Sequence, residues 1–181
     1  MAGKLIQVDT FTIDSAVASV IIGGGSSGSS STNFAINTDD VYMFTYNNVF
    51  MSNDGASFST RFTVSGSEDS SANYDQASIG MYTNQAYYKS GNQNLTNLTN
   101  YGMGTTPQES QSGIWYLYNF NNSSEYSFTS QESINITETP EIIGAVKGGV
   151  NTVAQSCDGI KLYANSGNIA SGTFTLYKVV S

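Results

Sequence analysis

Apolar side chains in several segments of this chain recur at every second residue, and no segment spaces them at i, i+3, i+4 and i+7 over three turns of a helix. The clearest case is the C-terminal stretch, where Ile160, Leu162 and Ala164 alternate with polar neighbours. Phe174 and Leu176, with Val179 close by, then repeat the pattern. That period implies two half-buried strands. Asn165, Ser166, Gly167, Asn168 and Gly172 lie between them and tolerate the backbone of tight turns, while Ile169 is placed to point back as an apolar anchor. Helix formers are scarce and Thr, Val, Ile, Tyr and Phe are plentiful, so the expected class is all-β.

The same reading along the chain predicts strands over 5–12, 16–22, 41–51, 58–64, 74–82, 114–120, 126–136 and 141–147, before the two in 159–180. That makes about ten short strands, spaced as in a sandwich or barrel. With both ends in strands and long connections, a two-sheet antiparallel β-sandwich of jelly-roll type is expected rather than an up-and-down barrel. At 181 residues a single domain, 1–181, buries enough surface to need no supplementary staple. Two segments interrupt the pattern: a flexible Gly/Ser loop at 23–31 and an irregular insertion at about 84–107. Asp54-Gly55 suits a tight hairpin turn between the third and fourth strands.

Charged residues are 11% of the chain, and 14 acidic against 6 basic residues leave a formal charge of −8. An acidic, weakly charged polar surface repels a phosphate backbone and the anionic face of a membrane, so neither nucleic acid nor membrane is an expected partner. Cys157 is the one cysteine, which excludes an intrachain disulfide and a thiolate zinc site; it reads as a small buried hydrophobe. The N-terminal residues lack the apolar core of a signal peptide, and the longest apolar run, 16–22, is far short of a membrane span, so synthesis as a soluble chain in the cytoplasm is expected. Five Asn-x-Ser/Thr matches, at Asn94, Asn97, Asn121, Asn122 and Asn135, are then read as composition.

Chemistry finds little support in the residues. Gly23, Gly25 and Gly28 have dinucleotide-loop spacing, but the residues after them are Ser-rich and extended rather than a helix N-terminus. Gly24-x-Ser26-x-Gly28 imitates a hydrolase elbow in a chain that contains no histidine to act as base. A glycosidase-type carboxylate pair would have to come from Glu109, Glu125, Glu132, Glu138 and Glu141, which read better as solvated strand ends and turns. Asp39, Asp40, Asp54, Glu68 and Asp69 are loop carboxylates of the kind calcium uses, yet Phe50 stands where a calcium loop needs Asp, and turn formation explains them more simply. The expectation is therefore a non-enzyme with no cofactor, no metal and no catalytic residues. Tyrosines are the remaining candidates, and Tyr87, Tyr88 and Tyr101 in the irregular insertion are the expected contacts for a glycan or receptor.

Three segments carry a family resemblance: Asp40-Val41-Tyr42-Met43-Phe44-Thr45-Tyr46-Asn47-Asn48-Val49, Ser112-Gly113-Ile114-Trp115-Tyr116-Leu117-Tyr118-Asn119-Phe120, and the closing Ser166-Gly167-Asn168-Ile169-Ala170-Ser171-Gly172-Thr173 with its flanking strands. They resemble small jelly-roll virion structural proteins of tailed, notably marine, phages. The resemblance covers fewer than half the residues. It implies a virion protein, an outer-surface module of a tail fibre, spike or capsid decoration, with other virion proteins as partners and a place in the particle after synthesis in the host cytoplasm. A carbohydrate-binding sandwich that attaches to a host surface glycan is the alternative.

A homo-oligomer, with a trimer favoured, is also expected. The segments 41–51 and 113–120 are apolar at successive positions, which puts apolar side chains on both sheet faces, and no helix is predicted to cover the second. The residues expected at that interface are Tyr42, Phe44, Tyr46, Trp115, Tyr116 and Tyr118. Three-fold symmetry is what the resemblance to phage fibres and decorations implies, although two-fold is commoner in general.

Overall fold

A computed structural model describes residues 3–24, 36–137, 139 and 141–180. The Gly/Ser loop expected at 23–31 lies, from residue 25 on, outside the described residues, as does Glu138. Among the described residues thirteen strands run in order: β1 (Lys4–Thr12), β2 (Ser19–Ile22), β3 (Tyr42–Met51), β4 (Phe58–Val64), β5 (Ser67–Glu68), β6 (Tyr74–Tyr82), β7 (Gln85–Leu95), β8 (Leu98–Thr99), β9 (Gln111–Tyr118), β10 (Ser127–Ile136), β11 (Ile142–Asn151), β12 (Gly159–Ala164) and β13 (Ile169–Val180). Apart from one 3-10 turn at Pro107–Glu109, the described residues form no helix.

The strands make two antiparallel sheets, and the chain is an all-β sandwich. The larger sheet has the order β1-β13-β3-β9-β10-β11-β6-β7, and the smaller β2-β12-β4, with β5 and β8 both paired to β4. Within this, β1-β13-β3-β9 opposite β2-β12-β4-β8 is the two-sheet order of an eight-stranded jelly roll. Two hairpins are inserted into it. β10–β11 and β6–β7 pair with each other through β11 and β6, and together they prolong the large sheet beyond β9. The three segments of the family resemblance fall on β3, β9 and the β12–β13 connection, and β13, β3 and β9 are adjacent in the large sheet.

Alternation produces the core. Tyr42, Phe44, Tyr46, Val49 and Met51 of β3 meet Val20 and Ile22 of β2, Phe58 and Phe62 of β4, Ile160 and Leu162 of β12 and Phe174 and Leu176 of β13. The Tyr46 and Phe58 rings cross edge to face at 5.0 Å, and Phe44 meets Trp115 edge-on at 5.9 Å, an arrangement that aromatic quadrupoles favour. Tyr42, Phe44, Tyr46 and Trp115 are therefore core residues of one chain, and the expectation that they form an oligomer interface is corrected. Their spacing explains it: Tyr42, Phe44 and Tyr46 stand at alternate positions of β3 and point inward.

The irregular insertion expected at 84–107 is also corrected, because most of it is β7 and β8. β7 is an edge strand paired only to β6, and it needs no apolar face to be held there.

Candidate functional site

The two outer faces of the sandwich differ in chemistry. On the small sheet, Glu68 accepts from Arg61 and Lys161, each at 2.8 Å, and Arg61 lies 5.0 Å over the Tyr163 ring. Burial alone would raise the Glu68 carboxyl, but the two cations outweigh it and hold it below its ordinary value. That face is charged and internally paired.

The outer face of the large sheet is apolar over β9, β10, β11 and β6, whereas over β1, β13 and β3 it is lined mostly by Thr10, Thr12, Thr45, Thr173 and Thr175. In β10 the sequence alternates Ser127, Thr129, Gln131 and Asn135 with Phe128, Ser130, Glu132 and Ile134, and it is the polar set that is buried. β11 is mixed: Ile143, Ala145, Lys147 and Asn151 point inward while Ile142, Val146 and Val150 point out. In β6, Gln76 and Ser78 lie inward, and Ile79 and Met81 outward. Across the register these outward residues join Ile114 and Tyr116 of β9 and Met43 of β3. Ile134 is 58% exposed and Met81 60%, and most of the large exposed apolar side chains of the described residues sit on this one face. Asp75, Lys89 and Glu132 are its charged members. One trough in it is lined by Leu5, Met43, Ile114, Ile134 and Tyr177, and a second by Ala77, Gly91, Phe128, Gly148 and Val150. Of the six residues expected at an interface, Tyr116 and Tyr118 are on this face, their rings 6.5 Å apart.

Polar residues turn inward here because of what lies opposite. Beyond β9 the small sheet ends, and the chain after β8 takes its place, bringing backbone carbonyls that need donors. Lys147 Nζ donates to Thr99 O and to Asn100 Oδ1, both at 3.0 Å, Asn135 Nδ2 donates to Gly102 O at 2.9 Å, and Gln76 brackets the Thr99 peptide at 2.8 and 3.0 Å. Gly149 lets β11 pass close beneath β8, since a Cβ there would stand 2.7 Å from Leu98 Cδ1. Sequence reasoning missed Lys147, Asn100 and the buried pair in which Gln111 Nε2 donates to Asn135 Oδ1 at 3.1 Å. For Asn135 the signal was the polar half of the β10 alternation, whose direction the sequence does not state.

The three candidate tyrosines are divided. Tyr88 faces Gly80 across the β6–β7 pair, and a Cβ on Gly80 would stand 2.7 Å from Tyr101 Oη, so Tyr88 and Tyr101 share the inward side. Tyr82 joins them, its ring at 6.0 Å and nearly perpendicular to that of Tyr101, and Lys147 Nζ lies 4.2 Å from the Tyr101 centroid. Tyr87 follows the alternation to the opposite face.

The candidate acids are dispersed into local roles. Glu109 Oε2 accepts from the Thr105 amide and the Thr106 hydroxyl, Glu141 bonds Asn84, Asp39 accepts from Asn122, and Asp40 pairs with Lys178. Asp69 ties loops together, accepting from Ser71 N, Asn151 Nδ2 and Gln155 Nε2 at 2.9–3.0 Å. Among the described residues no three His, Cys, Asp or Glu side chains gather as a metal site, and no helix is long and apolar enough to cross a membrane.

No protein-family model, no curated protein and no solved structure matches the chain.

Proposed function

We propose that this protein is a self-associating structural module of a phage virion, built into the outer surface of a tail fibre, spike or capsid, and not an enzyme. The observation that carries the self-association is the inverted alternation of β10, continued outward by Ile142, Val146 and Val150 of β11. β10 buries its polar side chains and presents Phe128 and Ile134 to the outside, an arrangement suited to a face that another molecule covers. With strands about 4.8 Å apart and about 3.4 Å per residue, the four strands β9, β10, β11 and β6 present on the order of 600 Å². That is about three-quarters of the roughly 800 Å² per partner of a stable protein interface, and Leu5, Met43 and Tyr177 beside it extend the apolar area. A second copy is the occupant that suits a face so poor in charge, and three copies is the assembly the phage resemblance favours. The virion assignment itself rests on the resemblance of 40–49, 112–120 and 166–173.

Sedimentation of the purified chain across micromolar concentrations tests the self-association, and mass spectrometry of purified particles tests the location. A monomer at every concentration, or absence of the chain from particles, overturns the respective half.

A second reading, attachment to a host glycan, is favoured by the group Tyr82, Tyr88 and Tyr101 at the β6–β7 end, where Tyr88 is exposed beside the other two rings. Glycan-array binding that is lost in Tyr88→Ala and kept in Tyr87→Ala supports it; no binding in the wild type removes it.

A further inference from the structure

The mid-strand lysine of β11 is in an unusual position. Lys147 is 4% exposed and Asn100 7%, and among the described residues no carboxylate lies within ion-pair distance of the amine. Its nitrogen has the Thr99 carbonyl, the Asn100 side-chain oxygen and the face of Tyr101 around it. Asn100 presents only its oxygen to a partner, for its Nδ2 is buried and bonds to nothing. The Tyr46 hydroxyl is likewise buried and unpartnered, and Asn100, Ser133 and Trp115 surround it.

We propose that Lys147 and Asn100 become joined after folding by an amide bond between the lysine Nζ and the asparagine Cγ. The Nζ lone pair attacks Cγ, the Cγ–Nδ2 bond breaks, and the proton shed by Nζ leaves on Nδ2, so one amide replaces another and ammonia is released. No oxidant, reductant or further substrate enters the balance.

Three physical conditions support the step. Burial without a counter-charge brings the Lys147 amine down to about 7, so a large share of it carries the free lone pair at neutral pH. Strand β11 and the end of β8 hold nucleophile and amide in contact, which replaces a bimolecular encounter by an intramolecular one. Tyr46, kept protonated by its burial, lies next to the Asn100 side chain and can serve as a proton relay. With a phenol rather than a carboxylic acid in that role, the reaction is slow relative to folding.

The product is a covalent tie between residues 47 apart in sequence, from the small-sheet strand β8 to the large-sheet extension. In a chain with a single cysteine, it does what a disulfide would do for a particle exposed to shear and protease. The bond would form whether or not the protein is a virion component.

Peptide mapping of the aged, denatured wild-type protein tests it. Trypsin has no site between Lys89 and Lys147 and does not cut after an acylated lysine, so the bond is read as segment 90–161 retained as one peptide, lighter by one ammonia. Lys147→Arg, which keeps the cation but not the nucleophile, is expected to restore the full mass, and Tyr46→Phe to slow the loss. Cleavage after Lys147 in the wild type, with 90–147 at its unmodified mass, overturns the proposal whatever the variants do.

Discussion

Ile134→Lys is the most direct probe of the apolar outer face. Ile134 stands in β10 between Ser112 of β9 and Gly144 of β11, and its 58% exposure leaves about 100 Å² of apolar surface in water, worth about 2.5 kcal/mol if a partner covers it. In a symmetric interface each contact occurs twice, so the loss approaches 5 kcal/mol, and an ammonium in the same place adds a desolvation cost. The expected outcome is a dissociation constant raised by about two to four orders of magnitude. Within one chain the side chain packs against little, so the unfolding free energy of the monomer is expected to move by less than about 0.5 kcal/mol. Sedimentation equilibrium of wild type and variant over the same concentrations reads the first quantity, and urea unfolding below the dissociation range reads the second. A variant that associates like the wild type would refute the assignment of this face. An equal loss of monomer stability would mean that Ile134 serves the chain's own fold.

Other expected outcomes concern the interior. Phe44→Ala, at a fully buried ring packed on Tyr46, Trp115 and Phe174, is expected to cost about 3–5 kcal/mol in denaturant unfolding, and a loss under about 1 kcal/mol would contradict its place in the core. Burial alone would raise the Asp69 carboxyl, but hydrogen bonds from the Ser71 amide and the Asn151 and Gln155 side chains outweigh it and hold it at about 2. This depressed acid contributes stability fully present above its ordinary value of 3.8 and lost as pH falls through about 2. The shift corresponds to roughly 2 kcal/mol, reduced to about 1 by the group's partial exposure. Unfolding of Asp69→Asn is therefore expected to differ from wild type by that amount at about pH 5 and to converge with it near about pH 1. Cys157 is fully buried and its thiol is pushed up to about 11, chiefly by burial, so alkylation at about pH 8 is expected only after unfolding; rapid labelling of the native chain would contradict its placement.

The period of the side chains was enough to determine the class of fold. Two-residue alternation at 5–12, 74–82 and within 159–180 requires strands, because in no other regular backbone do successive side chains point to opposite faces. What alternation does not contain is its phase. In β3 the apolar set, Tyr42, Phe44 and Tyr46, turns inward, because the small sheet lies opposite with Phe58 and Phe62. In β10 the apolar set turns outward, because the chain opposite offers the carbonyls of Thr99 and Gly102 and the side chain of Asn100, which polar side chains satisfy. Which set of each strand turns inward is decided by the neighbour across the sandwich. The candidate surface was legible in part: an excess of apolar side chains called for a covered outer face and placed it on Tyr116 and Tyr118, which lie there, but also on Tyr42, Phe44, Tyr46 and Trp115, which are core, and not on Ile79, Ile134 and Val146. β7 was invisible for a related reason, since Gln85–Leu95 is an edge strand with polar residues on both faces, held by its backbone pairing with β6. Nor does any local pattern bring Lys147 to Asn100: their contact exists because two inserted hairpins, β6–β7 and β10–β11, pair into one sheet and carry β11 beneath the end of β8.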